Sequence, residues 1–109
     1  MKDKILITGG AGFIGSNLVK FLINRNLNIN IIDNLSNSKK PKRQTNIKFF
    51  KGDIRNIKKL NLAANNCKTI IHLAAKSALQ ETIANPSECV SNNILGTVNV
   101  INICIKKKN

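Results

Sequence analysis

The sequence predicts an α/β fold, a doubly wound parallel sheet, on three observations. Short apolar runs alternate with helical stretches along the chain, a glycine-rich turn joins the first run to the first helix, and the links between units are short. The 109 residues admit one domain or part of one, and an apolar share of 42% suits a packed core rather than wholesale disorder.

The first strand is expected over residues 4–8, around the aliphatic Ile5-Leu6-Ile7. It runs into the most informative stretch of the chain, Thr8-Gly9-Gly10-Ala11-Gly12-Phe13-Ile14-Gly15. Gly9, Gly12 and Gly15 make a GxxGxxG pattern, and Gly10 with Gly12 and Gly15 makes GxGxxG. Early glycines permit a tight strand-to-helix turn, Gly12 lets backbone approach a pyrophosphate, and Gly15 lets the helix pack close on the strand. Phosphates would sit on the free N–H groups and positive dipole end of a helix starting near Phe13. That helix is expected over residues 13–25, with Ile14, Leu18, Leu22 and Phe21 inward.

The second strand, residues 28–33, ends on Asp33. The dinucleotide fingerprint demands an acid about 20 residues beyond the glycines, at the end of the second strand, and Asp33 meets that demand. There its carboxylate can accept both ribose hydroxyls of an adenosine and repel a 2′-phosphate, which selects NAD over NADP. Lys39, Lys40, Lys42 and Arg43 follow and would soften that preference. A glycine-rich turn that binds nothing is the alternative, and the strand, helix and spaced acid together argue against it.

Residues 34–46 are polar, carry Pro41 and read as a loop. Residues 47–51 form the third strand, ended by Gly52-Asp53, and 57–65 a short helix with Ile57, Leu60 and Ala64 on one face. Asp53, after a strand end, can accept from an exocyclic amine; capping the next helix is its structural alternative. Residues 69–74 form the fourth strand, apolar enough to be covered on both faces. Within it His72 reads as a hydrogen-bonded structural residue. Lys76 and Ser77 follow at the carboxyl end, where open sheets bind ligands. Asn85, Pro86 and Glu88 resemble a capping box that opens a long last helix, along which Val90, Ile94, Val98, Ile101 and Ile105 keep helical spacing. Asn92 and Asn93 fall mid-helix, where asparagine has poor propensity; solvation or a ligand role would explain them. A 3-2-1-4 sheet would leave strand four as an open apolar edge. The chain is therefore read as the N-terminal portion of a longer enzyme, or a truncated reading frame.

The formal net charge of +13 raises nucleic-acid binding as a function class. The cations are dispersed apart from runs at 39–43 and 106–108, and no Tyr or Trp is present to stack on bases. The richness in Lys, Asn and Ile is the bias of an AT-rich coding sequence, so nucleic acid is not expected as a partner. No apolar run reaches the length of a membrane span and no signal peptide is visible, so a cytoplasmic protein is expected. Cys67, Cys89 and Cys104 lack a CxxC pair and are expected as small core hydrophobes, with no metal site.

Four blocks carry a family resemblance over essentially the whole chain: residues 8–17, TGGAGFIGSN; 32–36, IDNLS; 52–55, GDIR; and 71–75, IHLAA, followed by 93–97, NILGT. The chain resembles the extended short-chain dehydrogenases/reductases, specifically the sugar-nucleotide epimerases and dehydratases typified by UDP-glucose 4-epimerase. The resemblance implies a Rossmann-type sheet, incomplete at about four strands, with residues 1–109 as the N-terminal part of an NAD-binding domain and the substrate domain absent. It also implies NAD as cofactor, a nucleotide-sugar substrate and a homodimer for the complete enzyme. Phe13 and Ile14 would lie under the pyrophosphate, Asp33, Asn34 and Ser36 around the adenosine ribose, and Asp53 with Ile54 at the adenine edge. Leu73, Ala74 and Ala75 would pass the nicotinamide side, and Asn92 and Asn93 its ribose or bound water. The family's chemistry uses a Ser or Thr and a Tyr four residues before a Lys, whereas this chain has no Tyr, so no residue here is assigned a catalytic role. A non-catalytic nucleotide-binding or interaction module stays open as the alternative.

Overall fold

The computed structural model describes residues 3–36, 38–76 and 79–107; Ser77 and Lys108, singled out above, lie outside the described residues. The strands are β1 (Asp3–Thr8), β2 (Leu27–Asp33), β3 (Ile47–Lys51) and β4 (Thr69–His72), all parallel, in the order β3-β2-β1-β4. That is the expected order. Ile5 pairs with Ile29 on one side and Thr69 on the other, so β1 lies mid-sheet with partners on both edges.

Strand alternation sends successive side chains to opposite faces. Ile5, Ile7, Ile29 and Ile31 form one buried layer against α1 (Phe13–Leu22). Leu6 and Ile32 point the other way, against α2 (Ile57–Ala63) and α5 (Gly96–Lys107), where Leu60, Ala63, Ala64, Val100 and Ile103 complete a second layer. Asn30, on that second face, is buried but satisfied, since its Nδ2 donates to the Ala63 carbonyl at 2.8 Å. Apolar packing on both faces is what makes the sheet doubly wound.

Several boundaries and faces differ from expectation. Helix α1 ends at Leu22 and buries Gly15 and Val19, while Ile14 and Phe21 face outward. At 3.6 residues per turn those two lie about a quarter turn or more from the Gly15–Val19 line, and the close approach of Gly15 to the turn sets that line. Phe21 instead lies under the Arg25 guanidinium, 4.4 Å from ring centroid to Cζ. Helix α2 ends at Ala63, and Ile57 is partly exposed. Strand β4 stops at His72 and is only partly covered.

The long last helix is three segments, α4 (Pro86–Val90), a π-helical turn (Ser91–Leu95) and α5, preceded by an unexpected short helix, α3 (Leu79–Ala84). No capping box forms. The Asn85 N–H donates to the Glu81 carbonyl of α3, which leaves the Glu88 carboxylate free to bind Arg55 instead. Cys89 is buried and Cys67 partly so, but Cys104 is exposed, a quarter turn off the Val100–Ile103 line. Among the described residues no cluster of metal-ligating side chains forms, and no helix is long and apolar enough to cross a membrane.

Candidate functional site

The carboxyl ends of all four strands open into one cavity of about 460 Å³. Its floor is the turn after β1. Gly9 adopts φ +72°, in the left-handed region that disfavours side chains, and its carbonyl accepts the Gly12 N–H at 3.1 Å. A Cβ on Gly15 would lie 2.3 Å from that carbonyl oxygen. Helix α1 can therefore start only where residue 15 has no side chain. Gly12 is its N-cap, no side chain caps it, and its first turn carries no acid. The uncapped N–H groups and positive dipole end face the cavity, an arrangement suited to an anion.

Asp33 sits at the end of β2 beside this turn. Its Oδ2 accepts the Ala11 N–H at 3.1 Å and its Oδ1 the Leu35 N–H at 2.8 Å, which hold the carboxylate at the cavity wall with acceptor positions to spare. Leu35 takes φ +61° to reach it. Asn34 makes the next link, accepting the Ser36 N–H at 3.0 Å.

Across the cavity, Asp53 follows β3. The Arg55 guanidinium beside it holds its carboxyl below the usual carboxylate range. Leu73, Ala74 and Ala75 line the side after β4, where the Thr8 Oγ1 accepts the N–H groups of Leu73 and Ala74. Lys76 completes that side; its ammonium is paired to Glu81 at 2.8 Å, which raises its pKa. The π-helical turn carries buried Asn92 into the cavity.

Among the described residues, every one given a cofactor contact from the sequence lines this cavity except Asn93. Its side chain clasps the Lys76 backbone, accepting from the N–H at 2.7 Å and donating to the carbonyl at 2.9 Å. His72, as expected, is hydrogen-bonded, between Thr8 and Thr97, and burial pushes its pKa down.

Residues 5–109 match the family model described as the NAD dependent epimerase/dehydratase family. The chain belongs to this family. Its curated relatives include the bifunctional protein GAL10 of Candida maltosa, 42% identical over 94% of this chain and 73% of that protein. A UDP-glucose 4-epimerase of Cyamopsis tetragonoloba is 36% identical over 95% of this chain and 33% of its own length. The chain thus spans about a third of the length of that plant relative. Among solved structures, an epimerase of Methanothermobacter thermautotrophicus superposes with a TM-score of 0.88 at 36% identity, covering 93% of this chain and 31% of that one. The Thermus thermophilus UDP-glucose 4-epimerase, solved as a complex with NAD, gives 0.82 at 31% identity, over 93% of this chain and 33% of that one.

Two contributors were not foreseen. Arg55, quoted in the GDIR block without a role, joins Asp53 to Glu88 and Ser91. Gly96 receives Ile54: a Cβ there would lie 2.2 Å from the Ile54 Cδ1. The signal for each was its place inside a family block; Glu88 and Ser91, which anchor Arg55, and Ile54, which packs on Gly96, lie too far along the chain for local pattern to reveal.

Proposed function

We propose that the chain is the NAD-binding portion of a sugar-nucleotide epimerase or dehydratase. Residues 1–109 are read as the N-terminal part of its Rossmann domain, with substrate-binding elements supplied elsewhere in the complete enzyme. The observation that carries this reading is Asp33 at the end of β2 beside the uncapped start of α1, both walls of one cavity. The residues present fit the cofactor: glycine backbone where a side chain would obstruct a pyrophosphate, uncapped N–H groups for its charge, and a carboxylate for the adenosine ribose.

In this reading Gly12, Phe13 and Ile14 hold the pyrophosphate, and Asp33, Asn34 and Ser36 the ribose. Asp53 and Ile54 meet the adenine, Leu73 to Ala75 flank the nicotinamide, and Asn92 lies near its ribose with Asn93 behind. NAD, when bound, accepts a hydride from a sugar hydroxyl carbon. Asp33 orients the adenosine end, and the apolar walls after β4 exclude water from the other. The complete enzyme would be cytoplasmic, dimeric and act on a nucleotide sugar.

The sequence holds no tyrosine to take the hydroxyl proton, the observation that favours the second reading, a non-catalytic nucleotide-binding module. Calorimetric titration with NAD tests the binding both readings share, and binding at no accessible concentration overturns the cofactor assignment. The chain alone is expected to show no turnover of UDP- or dTDP-sugars. Turnover above buffer, abolished by Asp33→Arg, would mean that a proton-transfer group is present here.

A further inference from the structure

The loop after β3 is docked on the last helical segments by side chains from both partners. Ile54 is buried against Gly96, and Asn99 Nδ2 donates to the carbonyls of Ile54 and Arg55 at 3.1 and 3.3 Å. Arg55 is the centre of this docking. Its Nη2 lies 2.6 Å from both Asp53 Oδ2 and Glu88 Oε1, its Nε 3.0 Å from Asp53 Oδ1, and its Nη1 3.1 Å from Ser91 Oγ. Ser91 opens the π-helical turn whose next residue, Asn92, is a cavity wall. π-Helical turns inside α-helices are frequent at functional sites.

The donor count at Asp53 matters. The Arg55 N–H, Nε and Nη2 give the carboxylate three N–H donors, the Nε hydrogen being shared between both oxygens. A carboxylate offers about four acceptor positions, so one is left for a ligand. A free Asp side chain would present two oxygens in several rotamers; here a rigid guanidinium fork fixes one orientation.

We propose that Arg55 is a positioning residue for adenine recognition: anchored by Glu88 and Ser91, it holds the Asp53 carboxylate so that a single acceptor position faces the exocyclic amine of the bound dinucleotide. This rests on the cofactor reading above. The amine is what separates adenine from hypoxanthine, which carries a carbonyl oxygen at that position. A fixed carboxylate accepts from the first and repels the second.

The test is calorimetric titration of wild type, Arg55→Ala and Arg55→Lys with NAD and with nicotinamide hypoxanthine dinucleotide, with thermal unfolding followed in parallel. Wild type is expected to prefer NAD by about tenfold or more, the scale of one hydrogen bond to a charged group. Both variants are expected to lose most of that preference, because lysine keeps the charge but not the fork. Should Arg55→Ala fail to fold, Arg55→Lys carries the comparison. Equal weakening of both ligands would mean that Arg55 only supports the fold, and an unchanged preference in the variants would mean that Asp53 is held without it; either overturns the proposal. A wild type that binds both ligands equally removes Asp53 as the amine acceptor and overturns it too. A wild type that binds neither overturns the cofactor reading itself.

Discussion

Thr8 Oγ1 and His72 Nδ1 lie 2.6 Å apart across β1 and β4, and the other partners of Thr8 decide which of them donates. Both lone pairs of the hydroxyl face N–H groups, those of Leu73 and Ala74 at 3.0 and 3.1 Å, the Leu73 N–H being shared with the Thr8 carbonyl. The hydroxyl hydrogen therefore goes to Nδ1. It follows that His72 is the neutral tautomer with hydrogen on Nε2, donating to Thr97 Oγ1 at 2.9 Å, while the Thr97 hydroxyl donates to the Asn93 carbonyl. The chain of donors links the fourth strand to the residue that clasps Lys76.

Acid should destabilise the protein through His72. Burial disfavours the charged ring and so depresses the folded pKa of His72; a protonated ring would also direct an N–H at a Thr8 hydroxyl that already accepts two. The unfolded chain then binds the proton more readily than the folded one. Stability from neutral His72 is complete above the ordinary histidine pKa and is lost as pH falls through the lower folded value. Denaturant midpoints measured on either side of that range should fall with acid in wild type, and this component should vanish in His72→Phe. That variant should also lose roughly 1–3 kcal/mol at neutral pH, because two hydroxyls lose a partner. A nitrogen spectrum with hydrogen on Nδ1 would refute the assignment.

What the sequence could and could not reveal follows from range. Strand order was legible because apolar runs such as Ile5-Leu6-Ile7 and the spaced glycines are local signals. The faces of Ile14 and Phe21 were not, because periodicity marks apolar positions without saying whether they meet a sheet, a cavity or solvent. Ile14 is 67% exposed because it lines the cavity. The π-helical turn was hidden because its residues keep a helical pattern. The Arg55–Glu88 pair joins residues 33 positions apart, beyond any local rule.

Gly15→Ala should destabilise the chain more than Gly12→Ala. The added methyl would sit 2.3 Å from the Gly9 carbonyl at position 15, where backbone must move, but 3.3 Å from it at position 12. Overpacking of this kind costs about 1–3 kcal/mol. Urea denaturation should show the larger loss in Gly15→Ala, whereas Gly12→Ala should chiefly weaken dinucleotide binding. A reversed order of stabilities would mean that the helix start adjusts more freely than its backbone contact implies.

Asp33→Ala should weaken NAD binding by about 1–3 kcal/mol, the scale of hydrogen bonds to a charged group. It should weaken NADP binding much less, because the same change removes a like-charge repulsion against the 2′-phosphate. Wild type should therefore prefer NAD and the variant should not. The variant also frees the Ala11 and Leu35 N–H groups, so circular dichroism must first establish that it is folded. Tighter NADP binding by wild type, or a preference untouched by the substitution, would remove Asp33 from the ribose site.

The outer face of the final helical segments is apolar and exposed. Val90, Ile94, Val98, Ile101 and Ile105 are all between 44% and 62% exposed, and Leu95 adds to them. The buried residues of these segments, Cys89, Asn92, Gly96, Val100 and Ile103, lie on the other side. Among the described residues strand β4 also has one neighbour in the sheet, β1. An apolar stripe and an open strand edge both favour association, the stripe at roughly 25 cal/mol per Å² of apolar area removed from water. The charge works against it: two copies that each carry +13 repel, and that repulsion is screened as salt rises. Association should therefore be concentration-dependent and should hold or strengthen from low to high salt. Sedimentation velocity at both ionic strengths is the measurement, with Ile94→Glu and Ile101→Glu together expected to restore the monomer. Dissociation by salt would mean that charged contacts hold the copies together, and a monomer at high concentration in high salt would mean that neither the stripe nor the edge pairs with a second copy.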